Sequence, residues 1–326
     1  MNRFYPLSLI FLLLSCIKAN NEINEETPDV IHIVGEQNIT FLNRPAKLFQ
    51  LSIQEEDMPL RFVEVRALKN DNNPRGALIL TAGGFARTFY GSGPETNSTI
   101  NHAFNLGLEV FEIRWEGENG WGTDTEGAGY PKAVRAVKEI IIWLKKNQIQ
   151  NPSTIIAHGG SGGAFQIAYG LAMYDLEKEI DYAIMVAGPP TADLNRAIYG
   201  DLDDEVRWPD GLGGFRITDH IHGWFDNGDY ARKRNTAPPA FVTETLDKSS
   251  LLSKNEARDF SYRTKVFFVN TDDVTNADSQ GKIYFEAITS EKEWHYLPDE
   301  TSHNVSGIPA GAEKIRDILK RIVNKD

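Results

Sequence analysis

The apolar stretch Thr154-Ile155-Ile156-Ala157 runs, after His158, into Gly159-Gly160-Ser161-Gly162-Gly163, and a helix-forming segment follows through Phe165 to Met173. No other feature constrains the chain as tightly. A short run that is apolar at every position fits a strand buried on both faces, which is how strands of parallel sheets read. A turn made almost wholly of glycine lets the backbone fold sharply beneath the one side chain it carries, Ser161. Strand, tight turn and helix in immediate succession predict a βα unit with Ser161 close to the helix N-terminus.

The surrounding chain repeats that rhythm. Gly76-Ala77-Leu78-Ile79-Leu80-Thr81 is a continuous apolar run closed by Gly83-Gly84, and Leu108 to Ile113 reads as a second strand. Lys132 to Lys146 carries an apolar stripe of Val134, Val137, Ile140, Ile141 and Leu144 at helical spacing, and Asn151-Pro152-Ser153 ends it. Tyr182 to Ala187 and Lys265 to Asn270 are further strands; a helix near Ser279 to Ile288, the strand Glu293 to Leu297 and a helix from Ala310 to Val323 complete the chain. Ahead of all this, Ile31 to about Arg66 holds alternating runs, such as Lys47 to Ile53 and Arg61 to Val65, that fit antiparallel strands at a sheet edge. The pattern predicts an α/β fold with a mostly parallel central sheet flanked by helices.

The rhythm lapses between Pro189 and about Arg263, where charges and turn residues dominate and aromatics are scattered: Trp208, Phe215, Trp224, Phe225 and Tyr230. A structureless loop of that length is implausible in a compact domain. It is expected to be a cap, inserted between the sixth and seventh core strands and resting on the carboxyl ends of the strands, where open α/β sheets bind ligands.

Composition bounds the function. The 326 residues are 41% hydrophobic and 25% charged, as in globular proteins. The net charge of −12, with basic residues dispersed, excludes a phosphate-backbone binder, because no cationic stripe is present to displace counterions. The single cysteine, Cys16, rules out an intramolecular disulfide and a cysteine-based metal site. It follows Met1-Asn2-Arg3 and the apolar run Leu7 to Leu14, which is too short to span a bilayer of ~30 Å as a helix. Leu13-Leu14-Ser15-Cys16 resembles the lipobox of bacterial lipoproteins, although Leu14 is a less usual residue at its place. The resemblance implies a signal peptide over residues 1–15, lipidation of Cys16 and a membrane anchor, with 16–44 as tether and N-terminal extension. An ordinary secretory signal cut near Ala19 would remove Cys16 instead; both readings put the protein outside the cytoplasm. The triplets at Asn38, Asn97 and Asn304 would matter only in a eukaryotic secretory pathway.

The chemistry centres on Ser161. A phosphate-cradling loop would need Lys followed by Ser/Thr at its end, and Gly163-Ala164-Phe165 supplies neither. A dinucleotide loop would need an acidic ribose ligand at the end of the next strand, and none is placed there. Glycines at 159 and 163 around Ser161, between a buried strand and a helix, fit G-x-S-x-G in the context a nucleophile elbow requires. A serine hydroxyl is a poor nucleophile and needs a base in reach, itself oriented by an acid. The elbow resembles that of α/β-hydrolases, whose triad runs Ser, acid, His along the chain, and of the seven histidines only His220, His222, His295 and His303 follow Ser161. The first two fall in the cap and His295 inside a strand, whereas His303 sits in the loop after the last strand. The same resemblance implies an acid in the loop after Val269-Asn270, where Asp272 and Asp273 stand side by side.

These residues in this order resemble the α/β-hydrolase superfamily, of the serine esterase and lipase kind, over about residues 45–326. The resemblance implies Ser161 as nucleophile, His303 as proton relay and an acid at Asp273, since Asn270 takes the place of the glycine in the family's G-x-x-D-x-x-V turn; Asp272 is the reserve. It also implies main-chain oxyanion donors at Gly162 and in the loop Thr81-Ala82-Gly83-Gly84-Phe85, at Phe85 or Gly84, with Gly83 where a histidine usually stands. Neither cofactor nor metal is implied, and Asp219-His220-Ile221-His222 reads as a cap turn. The expected activity is hydrolysis of a small-molecule carboxylic ester, with the cap aromatics favouring an apolar or aromatic group. A serine exopeptidase of the same fold and a catalytically silent binding protein are the alternatives.

Overall fold

A computed structural model describes residues 30–70, 73–224, 229–273 and 275–325. The expected signal peptide and Cys16 lie outside these residues.

The chain begins with three antiparallel strands, β1 (Ile31–Phe41), β2 (Arg44–Ile53) and β3 (Arg61–Leu68). Then strands and helices alternate: β4 (Gly76–Thr81), α1 (Pro94–Asn105), β5 (Leu108–Trp115), α2 (Gly129–Val134), α3 (Ala136–Asn147), β6 (Ile155–Gly160), α4 (Gly162–Met173) and β7 (Tyr182–Val186). Three helices fill the next segment, α5 (Leu194–Tyr199), α6 (Gly213–Ile221) and α7 (Ala240–Ser249). The series ends with β8 (Lys265–Thr271), α8 (Ala277–Ala287), β9 (Lys292–Leu297) and α9 (Pro309–Val323). All nine strands form one sheet in the order β1-β2-β3-β5-β4-β6-β7-β8-β9. β3 runs antiparallel to β5, and every pairing from β4 to β9 is parallel.

The continuous apolar runs are explained by burial on both faces. Alternate residues of each central strand enter two separate cores. Leu78, Leu80, Ile156, Ile184 and Phe267 pack with Ile100 of α1 and with Ile315, Ile318 and Leu319 of α9. Ala77, Ile79, Ala157, Met185 and Phe268 face the opposite way, toward the stripe Val137, Ile140, Ile141 and Leu144 of α3, toward α4, and toward Tyr284 of α8.

Three sequence expectations need adjustment. The sheet begins at Ile31, inside the stretch expected as extension, because β1 pairs with β2 from Ile31↔Ile53 to Phe41↔Arg44 and buries Ile31. With β1 included, residues 189–263 lie between the seventh and eighth strands of the chain. The helix expected over Lys132 to Lys146 is divided at Arg135, whose side chain leaves the helix to pair with Glu55 at 2.7 Å and with Asp57.

Candidate active site

Ser161 follows the last residue of β6 and caps α4, with φ 47° and ψ −110°. A positive φ is a strained position for a residue with a side chain. Close packing holds it there. A Cβ on Gly159 would lie 2.3 Å from the carbonyl carbon of Gly163, and one on Gly162 would lie 2.0 Å from the carbonyl oxygen of Gly84. The Ser161 amide donates to the Val186 carbonyl at the end of β7 (2.7 Å), which ties the turn to the next strand.

Since β6, β8 and β9 are parallel, the loops leaving them emerge on one edge of the sheet. His303, in the loop after β9, places Nε2 2.8 Å from Ser161 Oγ. Its Nδ1 lies 3.3 Å from Asp273 Oδ2 in the loop after β8, and 3.1 Å from Thr275 Oγ1. The His303 loop is itself laced to the β8 loop: the Thr271 hydroxyl donates to the Ser302 carbonyl (2.9 Å), and the Asp272 amide to the Glu300 carbonyl (3.1 Å). Asp272 therefore contributes its backbone and leaves its carboxylate exposed, while the Asp273 carboxylate is the one beside His303. Asn270, in the place of the glycine, accepts from the Gly188 amide through its side chain (3.1 Å) and closes the end of β7 against β8.

Burial pushes the Asp273 carboxyl up, but hydrogen bonds from His303 and from Thr275 outweigh it and hold the group below the ordinary carboxylate range. Both the amide (2.7 Å) and the hydroxyl of Thr275 donate to Asp273 Oδ1. Thr275 was not found from the sequence; a threonine two residues after an aspartate is a common turn and carries no catalytic signal.

Gly84 and Gly162 meet at Ser161. Gly162 opens α4, so its amide belongs to the first turn, whose N–H groups have no partner within the helix. The Gly84 carbonyl accepts the indole N–H of Trp121 (2.8 Å), and the Trp121 amide donates to the Phe85 carbonyl (3.2 Å). Trp121 thus fixes the peptide planes on both sides of Phe85, the second residue whose position no sequence pattern announced. Of the two alternatives in this loop, Gly84 lines the cavities beside Ser161, while the Phe85 ring packs on Trp121 (centroids 5.2 Å).

Solved structures share this architecture. Candida antarctica lipase A in its closed state superposes with a TM-score of 0.60 at 14% identity, covering 90% of this chain and 82% of that one. An acetyl xylan esterase from Paenibacillus sp. R4 gives 0.57 at 14% identity, with 91% and 90% covered. The mouse α/β hydrolase domain-containing protein 10 gives 0.53 at 12% identity, with 85% and 98% covered. The chain has the α/β-hydrolase fold. No protein-family profile matches it, and no curated protein matches it in sequence.

Within this α/β-hydrolase fold, the segment 189–263 covers the Ser161 edge. Pro190, Trp208, Leu212 and Ile217 join Trp121 and Phe165 around a cavity of about 200 Å³ that reaches Ser161 and His303. Its aromatic rings present carbon only, because their polar atoms are committed elsewhere: Trp208 Nε1 to the Pro190 carbonyl (3.0 Å), Tyr130 Oη to Thr218 Oγ1 (2.9 Å), and Trp121 Nε1 to Gly84. A second cavity of about 370 Å³ opens on the other side of the same two residues.

Asp219, His220 and His222, expected in a solvated cap turn, instead lie buried at the C-terminal end of α6 and serve the packing of the insertion. Asp219 accepts from the Ala231 amide (2.8 Å) and from Arg232 (3.2 Å), His220 Nε2 lies 2.8 Å from the Gly122 carbonyl, and His222 lies between the Thr218 carbonyl and Ser249 Oγ, both at 2.8 Å. His295 stays within β9, with Nε2 3.2 Å from Glu293.

Proposed function

We propose that this protein is a serine hydrolase that cleaves small carboxylic esters through a covalent acyl-enzyme. The observation that carries the reading is the 2.8 Å approach of His303 Nε2 to Ser161 Oγ, with Asp273 behind the imidazole. In this scheme Ser161 Oγ attacks the ester carbonyl carbon while its proton passes to His303 Nε2. Asp273 keeps Nδ1 protonated and stabilises the imidazolium that forms. The tetrahedral oxyanion is met by the Gly162 amide and by a donor from the Gly84–Phe85 loop, in a site already organised for it. When the C–O bond breaks, His303 returns the proton to the leaving alkoxide. Water then repeats the sequence on the acyl-enzyme and frees the acid.

The aromatic cavity under the insertion suits the acyl group. An apolar cavity of ~150 Å³ admits a benzene ring, so about 200 Å³ accommodates an aromatic acyl group or a short chain and is too small for a long fatty acyl chain. Two neighbours in fold are by their titles a lipase and an acetyl xylan esterase, which agrees with ester chemistry. The protein is also proposed to act outside the cytoplasm, held to a membrane through lipidated Cys16; Cys16→Ala should release it, and a mature N-terminus at Asn20 would refute the anchor.

The test is direct. A fluorophosphonate probe should label the wild-type protein at Ser161 and leave Ser161→Ala unlabelled, while the wild type turns over p-nitrophenyl butanoate. A folded wild type that neither reacts nor turns over would leave the silent binding protein as the reading. Turnover of aminoacyl-naphthylamides in preference to esters would favour the exopeptidase.

A further inference from the structure

We propose that the two cavities flanking Ser161 divide the substrate, the apolar one retaining the acyl group and the second binding an uncharged, hydroxyl-bearing alcohol such as glycerol or a sugar. This assignment rests on the ester-hydrolase reading above.

The second cavity is nearly twice the size of the first, about 370 Å³ against about 200 Å³, so the larger half of the substrate belongs there. Its wall has a different chemistry. Thr88 and Ser92 stand at its exposed rim, and Tyr90, Thr96 and Ser306 lie buried in its side. Tyr90 Oη and Ser306 Oγ are enclosed and close to one another, and neither makes a hydrogen bond of good geometry among the described residues. Ser306 Oγ lies 3.9 Å from where a Cβ on Gly160 would stand, beside the nucleophile. Buried hydroxyls this poorly satisfied are uncommon and cost stability, and a ligand hydroxyl in the cavity completes their hydrogen bonding.

Among the described residues, the same wall contains no Asp, Glu, Lys or Arg. A cationic alcohol such as choline, or one bearing phosphate, would be desolvated there without a counter-ion. A neutral polyol keeps its hydrogen bonds and brings no charge.

The order of events decides which half goes where. The acyl group stays on Ser161 after the alcohol leaves, and water must then reach the ester carbon from the side the alcohol vacated. A cavity walled by Thr88, Tyr90, Ser92, Thr96 and Ser306 holds water more readily than one walled mainly by Trp121, Phe165, Trp208, Leu212 and Ile217 with Thr191. The hydroxyl-lined cavity is therefore the alcohol and water side, and the aromatic cavity under Trp208 the acyl side.

The experiment keeps the acyl group constant and varies the alcohol, using the full-length protein with glycerol monobutanoate, hexyl butanoate, butanoylcholine and p-nitrophenyl butanoate. The expected kcat/KM on glycerol monobutanoate exceeds that on the hexyl and choline esters by at least about tenfold, the worth of one or two well-placed hydrogen bonds. Ser306→Ala should lower the glycerol-to-hexyl ratio by about tenfold. Thr88→Val, a rim change that threatens folding less, should lower the same ratio by about threefold. Equal or higher kcat/KM on hexyl butanoate overturns the assignment, as do variants that lower both esters in the same proportion; in either case continued turnover of p-nitrophenyl butanoate leaves the hydrolase reading standing. No turnover of any of the four esters, with no fluorophosphonate labelling, overturns both.

Discussion

Thr275 and Asp273 meet through a single oxygen: the amide and the hydroxyl of Thr275 both donate to Asp273 Oδ1, and Oδ2 is left to face His303. A carboxylate can rotate about its Cβ–Cγ bond. Two donors on one oxygen stop that rotation and aim the other oxygen at the imidazole. The Thr275 hydroxyl also lies 3.1 Å from His303 Nδ1, so the imidazole N–H is shared between two acceptors.

The relay should accordingly fail in graded steps. Ser161→Ala and His303→Ala should each remove turnover by several orders of magnitude, and the double variant should be little worse than either, because the residues act as one unit. Asp273→Asn should cost ~10⁴-fold in kcat, since it favours the wrong imidazole tautomer. Thr275→Val should cost about tenfold, the loss of a hydrogen bond that orients but does not react, and Thr275→Ser should recover most of it. Steady-state kinetics on p-nitrophenyl butanoate reads all six. Near-neutral Asp273→Asn beside a crippled Asp272→Asn would overturn the assignment of the acid.

How far this site was legible follows from what kind of signal each residue gives. Ser161 announces itself locally, because the strand, the glycines and the helix are contiguous in sequence. His303 and the Asp272–Asp273 pair were expected near Ser161 because residues at the carboxyl ends of parallel strands converge, while the preference for Asp273 rested on the resemblance to the family's turn. Thr275 and Trp121 act through contacts across the fold, and neither Asp-x-Thr nor Gly-Trp-Gly has a periodicity to read. The helix α1 was missed because Pro94 to Asn105 is largely polar, with Ile100 and Ala103 its buried apolar residues. The insertion showed no pattern because its helices are short and much of its buried aromatic surface, as at Trp208 and Trp224, lies in the loops between them, with no long stripe for the sequence to show. Strand β1 was drawn too far outside the domain because an edge strand exposed along most of its length lacks the apolar run that marks the centre.

Trp121 should prove a positioning residue for the oxyanion. Its indole N–H holds the Gly84 carbonyl at 2.8 Å, and its own amide holds that of Phe85. Trp121→Phe keeps an aromatic ring against Phe165 (centroids 4.8 Å in the wild type) and removes the indole donor along with part of the ring. The expected result is a fall in kcat of about tenfold to a hundredfold with KM changed much less, because the loop serves the transition state more than the bound ester. A variant that raises KM and spares kcat would place Trp121 in substrate binding alone.

Gly162→Ala tests the close packing of the turn. The added methyl would sit 2.0 Å from the Gly84 carbonyl oxygen, which Trp121 holds in place, so neither backbone can yield cheaply. Overpacking of this kind should cost about 3 kcal/mol or more, read as a lower urea midpoint with an unchanged m-value. Gly84→Ala makes the contrast: a Cβ there meets nothing within 4 Å, so its cost should be confined to the strain of φ +57°.

Acid should destabilise the fold through two buried histidines. Burial pushes the imidazoles of His158 and His222 down to about 4, from 6.5. His158 sits fully buried in β6, its ring against Tyr90 (centroids 4.8 Å), with neither nitrogen hydrogen-bonded among the described residues. His222 is stacked on Trp224 (4.6 Å) and held by the Thr218 carbonyl and Ser249. Between pH 6.5 and about 4 the unfolded chain binds protons at these positions that the folded chain refuses. Stability therefore rises with pH across that window, is fully present above 6.5, and is lost as pH falls through it. Each histidine contributes on the order of 3 kcal/mol over the whole window. Urea midpoints measured from pH 7 to pH 4 should show this slope, and His158→Phe, which keeps an aromatic ring beside Tyr90 and removes the titrating group, should flatten it in part, because burial also pushes the imidazoles of His222, His102 and His295 down. An unchanged slope in His158→Phe would mean that other groups govern the acid limb.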